Sequence, residues 1–331
     1  MMRIARMTSG GAILCFHSIT TATLPAAGEA HLPLEQIKSC IRVGRRIGEL
    51  VPLGDLLDRH MNGRSTSGLI AVTFDDAYAA LAGEFRDFIS NEAIPLTIFV
   101  VTASATVGAT YWWDRVDDAF AQASPDAWRA FEVACGLPES YRRGQPTEFG
   151  PLRPLRQWLL AAFKGRWPAH LEPALNALEA RAGSCTRHRS MTFGEIAELA
   201  TIPSVQLGVH TVSHPVMPLL SDADLLDEIA GSYESLRERF PNTLRVLAIP
   251  FGLYDERTIR ASRLAGMTAA LTLAGDVLHG PAGQHALSRV CVTRRDSAAG
   301  LGMRMLGLPA LVRACSGRHA PPYPDLPSAT T

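Results

Sequence analysis

Asp75 and Asp76 are the residues of this chain best placed to do chemistry. They end the apolar run Ile70 to Phe74, which reads as a strand buried on both faces. In α/β folds reactive groups collect at the carboxyl ends of such strands. One Asp could cap the helix predicted over residues 78–89, but a cap uses a single carboxylate and leaves the other for different work. A second cluster has the same placing. Val205 to Val209 predicts another short buried strand, which runs into His210, Thr211, Val212, Ser213, His214 and Pro215. Two imidazoles four residues apart lie on one side of a helical turn or tight loop and can share a cation. Pro215 favours the loop. One carboxylate and two imidazoles leave coordination positions open, which is the donor set of a catalytic rather than a structural metal site.

These residues carry a family resemblance. Thr73-Phe74-Asp75-Asp76, followed by His210-Thr211-x-x-His214, resembles the first two motifs of the NodB-type polysaccharide deacetylases, carbohydrate esterase family four. Ala248-Ile249-Pro250-Phe251-Gly252, with Tyr254 and Asp255 after it, resembles the Pro-Tyr-Gly motif of that family. Order and spacing fit from about Gly11 to Val292, with one insertion. The resemblance implies that Asp76, His210 and His214 hold a divalent metal, usually zinc. It makes Asp75 the general base toward the attacking water, and the backbone N–H near Phe251 a donor to the oxyanion. It implies an α/β fold, a distorted (β/α)7 barrel. Adjacent strand residues point to opposite faces, so the backbone must leave strand geometry at Asp75 for both aspartates to serve one site.

Two departures stand out. The Arg that precedes Pro in the family is Ala248 here, and the terminal Leu-x-His is missing. The last predicted strand, 286–292, carries Arg289 where that His is expected, and His279 precedes the strand. The Asp-Trp groove motif is not recognisable between Leu271 and Gly283. The first predicted strand, Ala12 to Phe16, ends in His17. First and last strands are neighbours in a closed barrel, so His17 is the candidate general acid, with packing at a strand end as its other reading.

The elements that must position these groups alternate. Helices are expected over 34–47, 53–60, 191–200, 221–239, 255–265 and near 299–315. Strands are expected over 69–75, 95–101, 204–210, 244–250, 268–273 and 286–292. That alternation predicts a β/α barrel over residues 1–315, with a disordered Pro-rich tail at 316–331. Residues 104–190 interrupt the rhythm as a helical insertion holding all five tryptophans. Trp128, Trp158 and Trp167 read as a mini-core. Trp112, Trp113 and Asp114 lie closer to a strand end and are candidate substrate contacts, since flat apolar rings suit sugar faces.

Composition narrows the class. With 32 basic and 32 acidic residues, the chain is not expected to bind nucleic acid or an anionic membrane surface. No Gly-x-Gly-x-x-Gly follows the first strand, and neighbouring carboxylates suit paired-carboxylate glycosidase chemistry poorly. No run approaches membrane-spanning length. Cysteines at 15, 40, 135, 185, 291 and 315 show no paired spacing and read as reduced, intracellular thiols. Arg3 and Arg6 before an apolar stretch resemble a leader, but His17 and several Thr interrupt it, and cleavage would remove the strand that supplies His17. A cytoplasmic chain is expected. The function anticipated is metal-dependent removal of an N-acetyl or other N-acyl group from an amino sugar or glycan precursor. The alternatives are a deformylase or another amide hydrolase of the superfamily, and a catalytically silent glycan-binding relative.

Overall fold

Short buried apolar runs become the strands of the main parallel sheet, beside a small two-stranded one formed by Ser18–Thr20 and His31–Pro33. The computed structural model describes residues 10–20, 28, 30–139, 153–183, 188–273, 277, 278 and 285–307. The leader-like segment before Gly10, His279 and the expected tail at 316–331 lie outside the described residues. The barrel strands are β1 (Ala12–Phe16), β2 (Leu69–Phe74), β3 (Leu96–Val100), β4 (Val205–Val209), β5 (Val246–Ala248), β6 (Ala269–Thr272), β7 (Ala286–Ser288) and β8 (Val290–Cys291). They pair side by side in the order β7-β6-β5-β4-β3-β2-β1-β8. The two edges of this sheet are therefore one chain segment. The run expected as a continuous strand over 286–292 is split at Arg289, so that β7 pairs with β6 and β8 pairs with β1. The result is a nearly closed barrel whose first and last strands meet, with Leu14 opposite Val290 and Cys15 opposite Cys291.

Alternation along each strand separates two apolar layers. Ile13, Ala71, Phe99, Ala248, Leu271 and Leu287 fill the barrel together with Leu53, Leu56 and Leu57 of the helix Leu53–Met61. Leu14, Phe16, Val72, Phe74, Ile98 and Val209 face outward against the surrounding helices. Gly208 on β4 has a specific packing role. A Cβ there would lie 2.4 Å from the Phe99 ring, so only glycine lets that ring occupy the interior. Helices α1 (Leu34–Ile47), α2 (Leu53–Met61) and α3 (Glu84–Asn91) follow the expected alternation; α4 (Thr102–Val107), α5 (Trp112–Gln122), α6 (Pro125–Ala134), α7 (Arg153–Ala162) and α8 (Glu172–Ala182) interrupt it; and α9 (Phe193–Ala200), α10 (Asp222–Arg239), α11 (Glu256–Leu264) and α12 (Ala298–Met305) restore it. The helix expected from Tyr78 starts later: a 3-10 turn at Ala79–Ala82 precedes α3.

The insertion builds its own core. Trp112, Val116, Phe131, Leu159, Leu175 and Leu178 are buried together, with Trp128, Trp158 and Trp167 packed against them. Trp112 belongs here rather than beside the site, and its indole N–H donates to the Gly165 carbonyl at 3.0 Å. A β-bridge between Tyr78 and Ser190 pins the insertion to the barrel, and one between Thr110 and Arg189 ties its two ends together.

Candidate active site

The aspartates reach one site because the chain abandons strand geometry as soon as β2 ends. Asp76 and Ala77 adopt left-handed backbone conformations, with φ of 67° and 51°. Each such non-glycine residue costs on the order of 1 kcal/mol or more. The turn is held from both sides: the Tyr111 hydroxyl donates to the Asp76 carbonyl and the Met191 N–H to the Ala77 carbonyl, each at 2.7 Å. Thr211 and His214 in the second loop are also left-handed, with φ of 66° and 57°. This loop hangs on Glu228 of α10, a buried carboxylate that accepts the backbone N–H groups of Val212 and Ser213 at 2.9 Å each. Arg166 pairs with Glu228 from the insertion side at 2.6 Å. Glu228 has no motif around it and its role was not anticipated.

Asp76, His210 and His214 converge. The Nε2 atoms of both histidines lie 3.4 Å from Asp76 Oδ1, and one ligand atom from each residue falls within 4.8 Å of the others. His210 Nδ1 lies 2.8 Å from the Ala248 carbonyl oxygen. A carbonyl can only accept, so Nδ1 carries a proton, and once the imidazole is neutral its Nε2 lone pair faces the aspartate. Burial pushes the His214 imidazole down to about 3, which keeps it neutral and available as a ligand. Burial also disfavours charge on His210, but the Asp75 and Asp76 carboxylates outweigh it and raise this imidazole above its ordinary value. Asp76 Oδ1 is buried without a hydrogen-bond partner. A buried carboxylate oxygen facing two imidazole nitrogens is costly as a protein–protein arrangement alone. As a donor set it fits a divalent ion held by three protein ligands with positions left open.

Asp75 is held apart from that group. Arg289 Nη1 donates to its Oδ1 and Nη2 to its Oδ2, both at 2.7 Å, and both side chains are fully buried. Burial opposes ionisation of Asp75, yet Arg289, helped by His210, holds the carboxyl well below the usual carboxylate range. Arg289 lies inside the barrel, with its guanidinium 5.6 Å from the centre of the Phe99 ring. The cation missed before Pro250 is thus supplied from further along the chain, at the break between β7 and β8. The only sequence signal for it was a lone Arg in a predicted buried strand.

His17 lies at the end of β1, beside Cys15 and Cys291, and near enough for its charge to act on Asp75, Asp76 and His214. Its Nδ1 is buried with no hydrogen-bond partner. Phe251 adopts a left-handed conformation, φ 56° and ψ 0°, with its ring 4.4 Å from that of His214. Trp113 completes this wall, 4.9 Å from His214 and stacked on Tyr111. Asp114 does not face the site. It is buried, accepting from His31 Nε2 and from the Tyr78 hydroxyl at 2.7 Å each, while Tyr78 accepts from the Trp113 indole at 3.0 Å. Helical periodicity explains the split, because consecutive residues on α5 point about 100° apart.

The segment that carries the histidine loop, α10, β5 and α11 matches a family model: residues 171–270 fit that of polysaccharide deacetylase. The chain is similar to the NodB-type polysaccharide deacetylases. Solved structures show the same barrel. The Streptococcus pyogenes deacetylase PplD, in complex with acetate, superposes with a TM-score of 0.57 at 14% identity, covering 89% of this chain and 97% of that one. IcaB from Ammonifex degensii gives a TM-score of 0.56 at 17% identity, covering 90% and 97%. The de-N-acetylase from Aggregatibacter actinomycetemcomitans gives 0.53 at 13% identity, covering 88% and 98%. At these identities the likeness to each is one of fold. No curated protein matches the chain significantly.

Proposed function

We propose that this chain is a zinc-dependent hydrolase that removes an N-acetyl, or other N-acyl, group from an amino sugar or glycan precursor. One observation carries the reading: two consecutive carboxylates have opposite surroundings. Asp76 faces two imidazole nitrogens, while Asp75 is locked by a guanidinium. That contrast suits a metal ligand beside a permanently ionised proton acceptor. A zinc ion held by Asp76, His210 and His214 would acidify a water and polarise the acyl carbonyl.

The remaining roles belong to the protein. Asp75 accepts the proton of the attacking water, and Arg289 fixes the carboxylate so that it does not swing toward the cation site. The backbone N–H of Phe251 donates to the oxyanion that develops on the acyl oxygen. His17 gives a proton to the leaving amine. Trp113 and Phe251 form an apolar wall against which a pyranose face can lie. The reading of a silent relative rested partly on the lack of an Arg before Pro250, and Arg289 meets that objection.

Cys15, Cys40, Cys135 and Cys291 are free thiols, which suits a reducing compartment. Among the described residues no helix is long and apolar enough to cross a membrane. The proposed substrate is therefore a soluble or lipid-linked precursor met in the cytoplasm, rather than mature polymer. Metal analysis combined with mass-spectrometric screening of N-acylated amino sugars and sugar nucleotides tests the proposal. Loss of an acetyl group that disappears in Asp75→Asn supports it, and release of formate instead identifies a deformylase. Unchanged turnover in Asp75→Asn, or turnover without bound metal, overturns it.

A further inference from the structure

Beside the cation site, and sharing no residue with it, lies a second convergence of soft ligands. Cys15 and Cys291 are register partners across the β1–β8 seam, so their side chains point the same way into the barrel. His17 follows two residues after Cys15, and one ligand atom from each of the three lies within 4.8 Å of the others. Tetrahedral zinc, with bonds of about 2.3 Å to sulfur and 2.0 Å to nitrogen, needs ligand atoms roughly 3.5–3.8 Å apart. The three groups are within about an ångström of that spacing, reachable by side-chain rotation.

A further observation points to a ligand. His17 Nδ1 is buried with no hydrogen-bond partner, an expense that a bound cation would remove. Cys15 is fully buried, whereas Cys291 and His17 are partly exposed, so the cluster extends from the interior toward the surface. Two thiolates would neutralise a divalent ion, and the adjacent Asp75–Arg289 pair is neutral as a unit. Metal binding must displace the Cys15 thiol proton, which is donated to Asp75 Oδ2 at 3.5 Å.

We propose that Cys15, His17 and Cys291 form a second, thiophilic metal site that takes zinc or cadmium. Thiolates select such ions, while the carboxylate-imidazole set next door is harder. Occupation engages the imidazole assigned above as the general acid, so on that reading the second ion competes with catalysis. The site itself does not depend on that assignment.

The test reads sulfur ligation rather than turnover. The full-length chain, its first site saturated with zinc, is titrated with Cd²⁺ and followed by the ultraviolet thiolate-to-cadmium charge-transfer band. Asp76, His210 and His214 offer no sulfur and cannot produce that band. The expected result is a band saturating at one further ion per chain, retained in His214→Ala and lost in the Cys15→Ser/Cys291→Ser double variant. No band in the unaltered chain, or a band that survives the double substitution, overturns the proposal. Should the double variant fail to fold, alkylation of the unaltered chain decides instead. Saturating zinc should protect Cys291 from iodoacetamide in peptide mapping, and equal labelling with and without zinc overturns the site.

Discussion

Arg289 and Asp75 form a bidentate ion pair, two hydrogen bonds of 2.7 Å between residues 214 positions apart, with both side chains out of contact with water. Removing one partner of a buried pair leaves the other charge uncompensated, at about 3–5 kcal/mol. Arg289→Met is therefore expected to lower unfolding stability by that order, read from denaturant midpoints. Arg289→Lys is expected to rescue little, because an ammonium cannot reproduce the planar fork.

The same pair sets a pH dependence. Asp75 has its carboxyl held below the ordinary value, so its pairing stabilises the fold fully above about pH 4 and loses that contribution as pH falls through the lowered value. As the proposed base, Asp75 would stay ionised well below neutral pH. Deleting the Arg289 cation should raise the Asp75 pKa and move the acid limb of the pH–rate profile to higher pH. An acid limb that stays put in a folded Arg289→Met chain would contradict the role of Asp75 as base.

Metal affinity should rise with pH as His210 loses its proton. His210 holds its proton above the ordinary imidazole value because two carboxylates face it, whereas His214 is already neutral. A ligand must shed its proton before it binds. Zinc binding is therefore expected to displace the proton that His210 holds, so affinity should rise as His210 deprotonates. Calorimetry in buffers of different ionisation enthalpy counts that proton.

Glu228 never touches the cation site but carries the loop between its two histidines. Groups that orient ligands commonly matter by 10- to 100-fold in metal affinity. Glu228→Ala should weaken zinc binding by about that factor in chelator competition. Little change would show that the loop holds its shape without the carboxylate.

His17→Ala separates catalysis from metal loading at the first site. If His17 is the acid, kcat should fall by roughly 10²- to 10⁴-fold, with zinc at the Asp76 site unchanged. Full turnover in this variant would remove His17 from the mechanism.

The strand-end clusters were legible in the sequence because their signals are local. Asp75 and Asp76 stop an apolar run, and His210 and His214 follow another. The barrel itself was legible from the alternation of strands and helices. What escaped is non-local. Nothing near Arg289 announces a partner 214 residues away, and no Cys spacing reveals that Cys15 and Cys291 lie opposite each other across the seam. Asp114 was misplaced for a different reason. Its neighbour Trp113 does reach the site wall, and helical rotation turns the carboxylate toward His31 and Tyr78 instead.

Splitting the final strand at Arg289 ties assembly to activity. The carboxylate assigned as base is emplaced by a side chain that arrives only when the closing segment docks against β1. A chain ending before residue 289 would leave Asp75 without this counter-ion. On the proposed function, the base gains its partner only once the closing strand has docked against β1.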